Sequence, residues 1–131
     1  MNMSWSKDKH TLRGMHYQKD GAEEAKLIRC TRGGILDVII DVRKDSPTYK
    51  EWIAVELTAE NHKMLYVPEG FAHGFCTLTE DIEVTYMVSN FYTPGKEAGI
   101  KWNDPEIGID VWPTDNPILS EKDANWPAFE L

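Results

Sequence analysis

The sequence predicts an all-β fold of the sandwich or barrel type, with very little helix. Runs rich in Val, Ile, Tyr and Trp recur along it, namely "KLIRCT", "GILDVIIDVRK", "EWIAVEL", "KMLYVP", "GFCTL" and "IEVTYMVSNFY". Turn clusters separate these runs, among them "RGG", "KDSPTYK", "PEG" and "TPGKEAG". Turn signals spaced roughly ten residues apart are typical of all-β sandwiches and barrels.

Length and composition predict one soluble domain over residues 1–131. A chain of 131 residues with 41% hydrophobic and 27% charged residues can bury one core but is too short for two. No apolar run approaches the ~18 residues of a membrane span. The start of the sequence, "MNMSWSKDKH", lacks the apolar centre of a signal peptide. We therefore expect a cytoplasmic protein with no membrane partner.

The charge of the chain limits its partners. The formal net charge is −8 at pH 7, which opposes binding to a nucleic-acid backbone, so no nucleic-acid partner is expected. A small anionic ligand is still compatible with this charge, because a few local Arg and Lys side chains can override the global field. Cys30 and Cys76 follow no zinc or disulfide pattern, and we interpret both as small buried apolar groups.

Short helical turns are predicted at two places only. They are "TAEN" (58–61) and "LSEKDA" (119–124), where a capping residue comes first and Ser120 precedes a charged run. The tail over residues 102–131 holds four of the seven prolines and is expected to pack against the barrel as loop and turn. The tryptophans Trp52, Trp102 and Trp112 are expected in the core or in an interface.

Alternation along three strands places one polar group on each of three apolar faces. Successive strand residues point to opposite sides, so every second residue shares a face. The three faces are Ile82, Val84, Tyr86 and Val88; Phe71, His73, Phe75 and Thr77; and Lys26 with Ile28. This pattern is typical of a barrel interior that lines a ligand cavity.

The turn in "YVPEGFAHGFCTL", residues 66–78, narrows the kind of barrel. A Pro-x-Gly-x-x-His turn between strands often supplies a metal-binding histidine in a double-stranded β-helix, the cupin or jelly-roll barrel, and His73 occupies that place. His16 in "TLRGMHYQK" has no second histidine at position 14 or 18. The two histidines alone would give fewer ligands than a catalytic zinc or iron site usually has. A metal site and two ordinary hydrogen-bonded interior histidines both stay open as readings.

Proton-transfer chemistry without a metal fits these residue types better. Histidine titrates near neutrality and suits a general base, and Tyr86 is a neutral donor that can return a proton from another direction. An interior lysine such as Lys26 can stabilise the enolate oxygen that forms when a proton leaves a carbon next to a ketone. An arginine such as Arg13 is a natural grip for a phosphate or pyrophosphate.

Longer stretches of the sequence carry a resemblance to a known family. They are "TLRGMHYQ", "KLIRCTRGGILDVIIDVRKDSPTYKEW", "VELTAEN", "YVPEGFAHGF", "NFYTP", "IKWNDPEIGID" and "PILSEKDA", in order from about residue 2 to residue 127. Together they resemble the dTDP-4-dehydrorhamnose 3,5-epimerase family. The resemblance implies a metal-independent cupin with no cofactor that acts as a homodimer in deoxysugar biosynthesis. It also implies a nucleotide-sugar substrate, dTDP-4-dehydro-6-deoxy-D-glucose, epimerised at C3 and C5.

The resemblance assigns catalytic roles to four residues. His16 of "RGMHYQ" matches the catalytic base, and Asp123 of "LSEKDA" matches the aspartate that pairs with it and orients it. Tyr86 of "VTYMVSN" matches the proton donor on the opposite face of the sugar. Lys26 of "AKLIRC" matches the lysine near the C4 carbonyl oxygen. In the implied mechanism His16 removes the proton alpha to the C4 ketone and Tyr86 reprotonates from the other side.

Three further residues match substrate contacts of the family. They are Arg13 of "LRG", His73 of "PEGFAHGF" and Glu97 of "TPGKEAG". The resemblance implies that His73 helps Lys26 to hold the enolate, within a cupin turn that has lost its metal.

The sequence departs from the family pattern in three places. Family members carry a segment ahead of an N-x-S-x-S pattern, which this chain has from Asn2 to Ser6. That segment supplies strands to the dimer and an Arg, a Phe and a Glu that contact the nucleotide, and this sequence begins too late to contain them. "KDKHTLRG" is one residue longer than the common form, and Val111 separates Asp110 from Trp112. The resemblance therefore still implies the acid–base residues, but it predicts neither the nucleotide specificity nor the dimer geometry of this chain.

Other functions stay open at this stage. The same His, Tyr and Lys set suits epimerisation at a single carbon, or of a sugar carried by another nucleotide. A non-catalytic carbohydrate-binding or regulatory cupin would keep the pocket but would have no need of an acid and a base on opposite faces. A metal-dependent cupin enzyme is the third alternative.

Overall fold

The computed structural model describes residues 1–129, which form two facing β-sheets. The strands are β1 (Asn2–Ser6), β2 (Leu12–Gln18), β3 (Lys26–Arg32), β4 (Gly34–Asp41), β5 (Trp52–Thr58), β6 (Met64–Val67), β7 (Phe71–Thr77), β8 (Ile82–Val88) and β9 (Glu97–Gly99), followed by the short helix α1 (Glu121–Ala124). The order β1-β8-β3-β6 makes a four-stranded sheet and β5-β4-β7-β2-β9 a five-stranded sheet. All these strand pairs are antiparallel, and the predicted all-β fold class is confirmed.

The inner faces of both sheets pack together as the alternation predicts. One apolar cluster joins β8 and β4 through Ile82, Val84, Tyr86, Ile35 and Ile39. Phe71 and Phe75 of β7, which share a face with His73, belong to the same cluster. The intervening residue of β8, Met87, is 48% exposed. The alternation therefore predicted correctly which residues of these strands face the core, because one face of each strand is buried and the other is not. Both cysteines are buried and free, as expected.

The C-terminal tail covers the other face of the five-stranded sheet. Ile107, Ile109 and Trp112 from the tail pack against Met15 and Val38, which lie on strands of this sheet. As a result β4 and β7 are buried on both sides, which explains the continuous apolar run in "GILDVIID". The predicted packing of the tail is confirmed over residues 102–129, and its last two residues lie outside the described part of the chain.

One of the two predicted helical turns is a helix. The hydroxyl oxygen of Ser120 accepts a hydrogen bond from the Asp123 backbone N–H at 3.1 Å, which caps α1. At residues 58–61, by contrast, the side chains of Thr58 and Asn61 each accept a bond from the other's backbone N–H, and the segment forms a turn instead of a helix. Within residues 1–129 no helix is long and apolar enough to cross a membrane.

A close contact between two glycines sets the distance between β2 and β7. A Cβ placed on Gly14 would lie 2.6 Å from the Gly74 Cα, and one placed on Gly74 would lie 2.7 Å from the Arg13 carbonyl oxygen. Gly14 also has a φ of 121°, which side chains other than hydrogen rarely permit. Two residues beyond this contact, His16 pairs directly with His73 across the two strands. The glycines therefore place the two histidines side by side.

We expect Gly74→Ala to lower the free energy of unfolding by about 2 kcal/mol, because the new methyl group collides with backbone atoms that cannot move aside. Gly34→Ala is the matched control, since the nearest atom to its Cβ is a Thr58 side-chain carbon at 3.2 Å. Denaturant unfolding of both variants is the measurement. Equal destabilisation by the two substitutions would contradict this account of the β2–β7 contact.

Candidate active site

Two adjoining cavities, which share three lining residues, hold the polar groups of the barrel interior. The larger has a volume of about 630 Å³ and the smaller about 220 Å³. His16, Lys26 and Tyr86 line both. The larger cavity is also lined by Glu97, and the smaller by Arg13 and His73. The structure thus gathers six of the seven predicted site residues around one space, and the seventh, Asp123, lies directly behind His16.

His16 and Asp123 form a close pair although 107 positions separate them. His16 Nε2 lies 2.6 Å from Asp123 Oδ1. The His16 side chain is 33% exposed and faces the cavity, whereas that of Asp123 is only 6% exposed. A buried carboxylate bonded to one ring nitrogen fixes the orientation of an imidazole and stabilises its protonated form. The pairing that the family resemblance implied is therefore present.

The surroundings of Asp123 favour its ionised form. Burial alone would raise the pKa of Asp123, but the hydrogen bond and charge of His16, the Gly14 N–H and the Trp126 indole N–H together hold it below its ordinary value. Gly14 donates at 3.2 Å and Trp126 at 3.0 Å. Each partner bonds the charged carboxylate, which is why their sum outweighs the desolvation.

His73 has a carboxylate partner of its own. Its Nε2 lies 2.6 Å from Asp37 Oδ1, and both side chains are buried. Asp37 Oδ2 has no hydrogen-bond partner among the described residues. Within residues 1–129 no group of three or more His, Cys, Asp or Glu side chains is arranged to hold a metal ion. Each interior histidine is instead bonded to one acid.

Lys26 occupies a largely enclosed position beside a carboxylate. Its side chain is 14% exposed, and its Nζ lies 3.8 Å from Glu24 Oε1. Burial lowers the pKa of Lys26, while the nearby carboxylates of Glu24, Asp37 and Glu97 oppose that shift. Burial likewise raises the pKa of Glu24, and Lys26 and His73 oppose it.

Tyr86 and His16 enter the cavity from opposite walls. Tyr86 lies on β8 of the four-stranded sheet and His16 on β2 of the five-stranded sheet, and both side chains line the same two cavities. Lys26 on β3 belongs to the same wall as Tyr86, because Ile28, two residues on, pairs with Tyr86. A ligand between the sheets would therefore meet histidine on one side and tyrosine on the other.

Arg13 and Glu97 lie at the edges of this space. Arg13 donates to the Ser6 hydroxyl through Nε at 3.3 Å and Nη2 at 3.2 Å. Glu97 accepts a charge-assisted bond from Lys122 Nζ at 2.5 Å. Both charged groups are thus tethered while they remain next to the cavities.

Sequence reasoning missed several residues of the site. Asp37 carried a readable signal, an acid that shares the inner face of "GILDVIID" with Ile35 and Ile39. Glu24 stands two positions before Lys26, and its carboxylate lies 3.8 Å from the Lys26 ammonium nitrogen. Trp126, whose ring lies edge-on to the His16 imidazole with centroids 5.9 Å apart, gave no signal in the proline-rich tail.

We expect Asp123→Asn to lower the free energy of unfolding at pH 7 by about 1–3 kcal/mol, the usual loss for a buried bond to a charged group. Because the folded state depresses the pKa of Asp123, the contribution is complete above pH ~4, the ordinary aspartate value, and is lost as the pH falls below it. In denaturant unfolding, the difference between the two proteins should therefore be full at pH 7 and should shrink as the pH falls toward 3. Asp115→Asn, at an exposed position of the same tail, is the control. A pH-independent difference would contradict this assignment.

Comparison with known proteins agrees with the fold. The family model for dTDP-4-dehydrorhamnose 3,5-epimerase matches residues 1–130. The protein of that name from Shigella flexneri is 49% identical over 121 residues, which are 92% of this chain and 66% of the Shigella protein. A Bacillus anthracis dTDP-4-dehydrorhamnose 3,5-epimerase, solved with TDP and PPi bound, is 48% identical with a TM-score of 0.95, over 98% of this chain and 73% of that one.

A 3'-monoepimerase from Streptomyces bikiniensis, solved in complex with dTDP-quinovose, is also similar. It is 38% identical with a TM-score of 0.89, over 97% of this chain and 64% of that one. The chain spans about two thirds of the length of the curated relatives that it matches first. These matches cover 92% and 98% of this chain. The family resemblance that the sequence motifs predicted is confirmed. The chain belongs to the dTDP-4-dehydrorhamnose 3,5-epimerase family.

Proposed function

We propose that this chain carries the catalytic machinery of an epimerase for a nucleotide-linked 4-keto-6-deoxy sugar. The proposed substrate is dTDP-4-dehydro-6-deoxy-D-glucose, inverted at C3 and C5 through an enolate. One observation carries the proposal: a carboxylate-backed histidine and a tyrosine enter the same cavity from facing sheets. Inversion at carbon needs a proton removed from one face and another returned to the opposite face, and this arrangement suits both steps.

His16 is the base in this proposal. When its Nε2 donates to Asp123, the other ring nitrogen is unprotonated and can accept the proton from the carbon next to the C4 ketone. The imidazolium that forms lies against the ionised Asp123, which lowers the free energy of the charged pair. A positioned base typically accelerates such a step about 10²–10⁴-fold.

Lys26 and His73 hold the enolate oxygen. Proton loss places negative charge on the C4 oxygen, and donors fixed inside a cavity stabilise it more than water does because they need no reorganisation. Lys26 offers an ammonium group, and His73, whose Nε2 is bonded to Asp37, offers a second donor from its other ring nitrogen in the imidazolium form. Such donors commonly contribute about 10²–10³-fold each.

Tyr86 returns a proton to the opposite face. A phenol hydroxyl group carries a proton that it can donate. Its position on the other wall means that the carbon is inverted when Tyr86 supplies the proton, whereas return of the proton by His16 would only regenerate the substrate.

Arg13 and Glu97 take the remaining parts of the substrate. The Arg13 guanidinium suits a phosphate oxygen of the nucleotide, and Glu97 accepts a sugar or nucleoside hydroxyl. The proposal needs no metal and no cofactor, since each proton and charge has a side chain to receive it. We also propose that the protein acts as a homodimer, as the family resemblance implies.

Epimerisation at one carbon is the second candidate. The similarity to a 3'-monoepimerase at a TM-score of 0.89 favours it specifically. The same base and acid would serve, and only the pose of the sugar in the cavity would decide which carbon faces His16.

Solvent-exchange NMR in D₂O with dTDP-4-dehydro-6-deoxy-D-glucose tests the proposal. Wild-type protein should place deuterium at both C3 and C5, and His16→Ala should lower both rates by at least about 100-fold. In Tyr86→Phe the rate of formation of the inverted product should fall more than the rate of deuterium exchange, because His16 still removes the proton.

Two exposed residues that line neither of these two cavities provide matched controls, His62→Ala for the histidine change and Tyr66→Phe for the tyrosine change. Both should keep wild-type rates. Deuterium at one carbon alone would select the second candidate. No exchange by wild type, or an unchanged rate in His16→Ala, would overturn the proposed function.

A further inference from the structure

The charge on Lys26 needs an explanation. The side chain is 14% exposed and lines both cavities. Withdrawal from water favours the neutral amine over the ammonium ion. A neutral amine has no positive charge to offer an enolate oxygen. Some neighbouring group must therefore oppose the loss of the proton.

Three carboxylates lie near enough to act on Lys26, and two of them have other partners. Asp37 is bonded to His73 at 2.6 Å, and Glu97 is bonded to Lys122 at 2.5 Å. Glu24 forms no ion pair within residues 1–129 except with Lys26, at 3.8 Å. Glu24 is thus the carboxylate whose only ion-pair partner among the described residues is Lys26.

The local chain geometry supports this pairing. Glu24 stands two residues before Lys26, just ahead of β3, and the two side chains meet at 3.8 Å. The Glu24 side chain is also 14% exposed, and it lines the larger cavity together with Lys26. The titratable or charged side chains that line the two cavities with Lys26, or act on its charge, are Glu24, Asp37, Glu97, His16, His73, Tyr86, Tyr17, Tyr92 and Arg13.

We propose that Glu24 is a positioning residue that keeps Lys26 protonated and holds its ammonium group at the cavity wall. The use of that charge at an enolate rests on the proposed function, whereas the coupling of Glu24 to Lys26 is a property of the chain without substrate. Glu24 touches no reacting atom in this account. It acts through Lys26. Removal of the Glu24 charge therefore makes Lys26 lose its proton at lower pH, and the alkaline fall in activity then begins at lower pH.

NMR titration of ¹³C-lysine-labelled protein without substrate tests the coupling directly, with the Lys26 signal assigned by its absence from Lys26→Arg. Glu24→Gln should raise the acid dissociation constant of Lys26 about tenfold or more, as expected when an opposite charge within about 4–6 Å is lost. Glu23→Gln is the matched control, because it removes the same charge one residue away, where the side chain lines a separate cavity with Lys19. It should change the constant less than about twofold.

The pH profile of deuterium exchange provides a second readout. In Glu24→Gln the alkaline fall in rate should begin at lower pH, and Glu24→Asp should restore much of the wild-type profile. An unchanged Lys26 titration in Glu24→Gln, or one equal to that of Glu23→Gln, would overturn the proposal. Should wild type fail to turn the sugar over, the proposed function falls, and the substrate-free titration still decides whether Glu24 controls Lys26.

Discussion

The pairing of each interior histidine with a buried carboxylate is the interaction on which the rest of the structure depends. His16 and His73 lie side by side on β2 and β7, between apolar sheet faces. A buried imidazole whose polar atoms stay unpaired lowers the free energy of unfolding by about 1–3 kcal/mol. Asp123 and Asp37 remove that cost, each at 2.6 Å. The fold has to bring two acids to this one place, and it does so by different routes.

Asp37 comes from β4, the strand next to β7, and needs only the register of the sheet. Asp123 comes from the far end of the chain, where the capped helix α1 carries it to β2. The same tail covers the outer face of the five-stranded sheet with Ile107, Ile109 and Trp112. The same tail therefore covers the apolar face of the sheet and orients His16. Loss of the tail's packing would also remove the carboxylate partner of His16.

Much of the fold was readable from the sequence, and the reasons are physical. One-sided burial imposes a period of two on "IEVTYMV", which placed Tyr86 inside correctly. β1 and β9 were missed because they are short edge strands whose residues are mostly exposed or half-buried. The contact between His16 and Asp123 has no local signal, since 107 positions separate the two residues. Only the family resemblance predicted it, whereas the acid beside His73 could have been found from alternation alone.

In the proposed function, the Asp123–His16 pair acts as one proton acceptor facing Tyr86. The most direct test is the rate of solvent deuterium exchange into the sugar by Asp123→Asn, compared with wild type under conditions where both are fully folded by circular dichroism. The account predicts a fall of about 10²–10⁴-fold, because asparagine neither stabilises the imidazolium nor selects the same tautomer. An exchange rate within a few fold of wild type, in a protein that retains its fold, would contradict the claim.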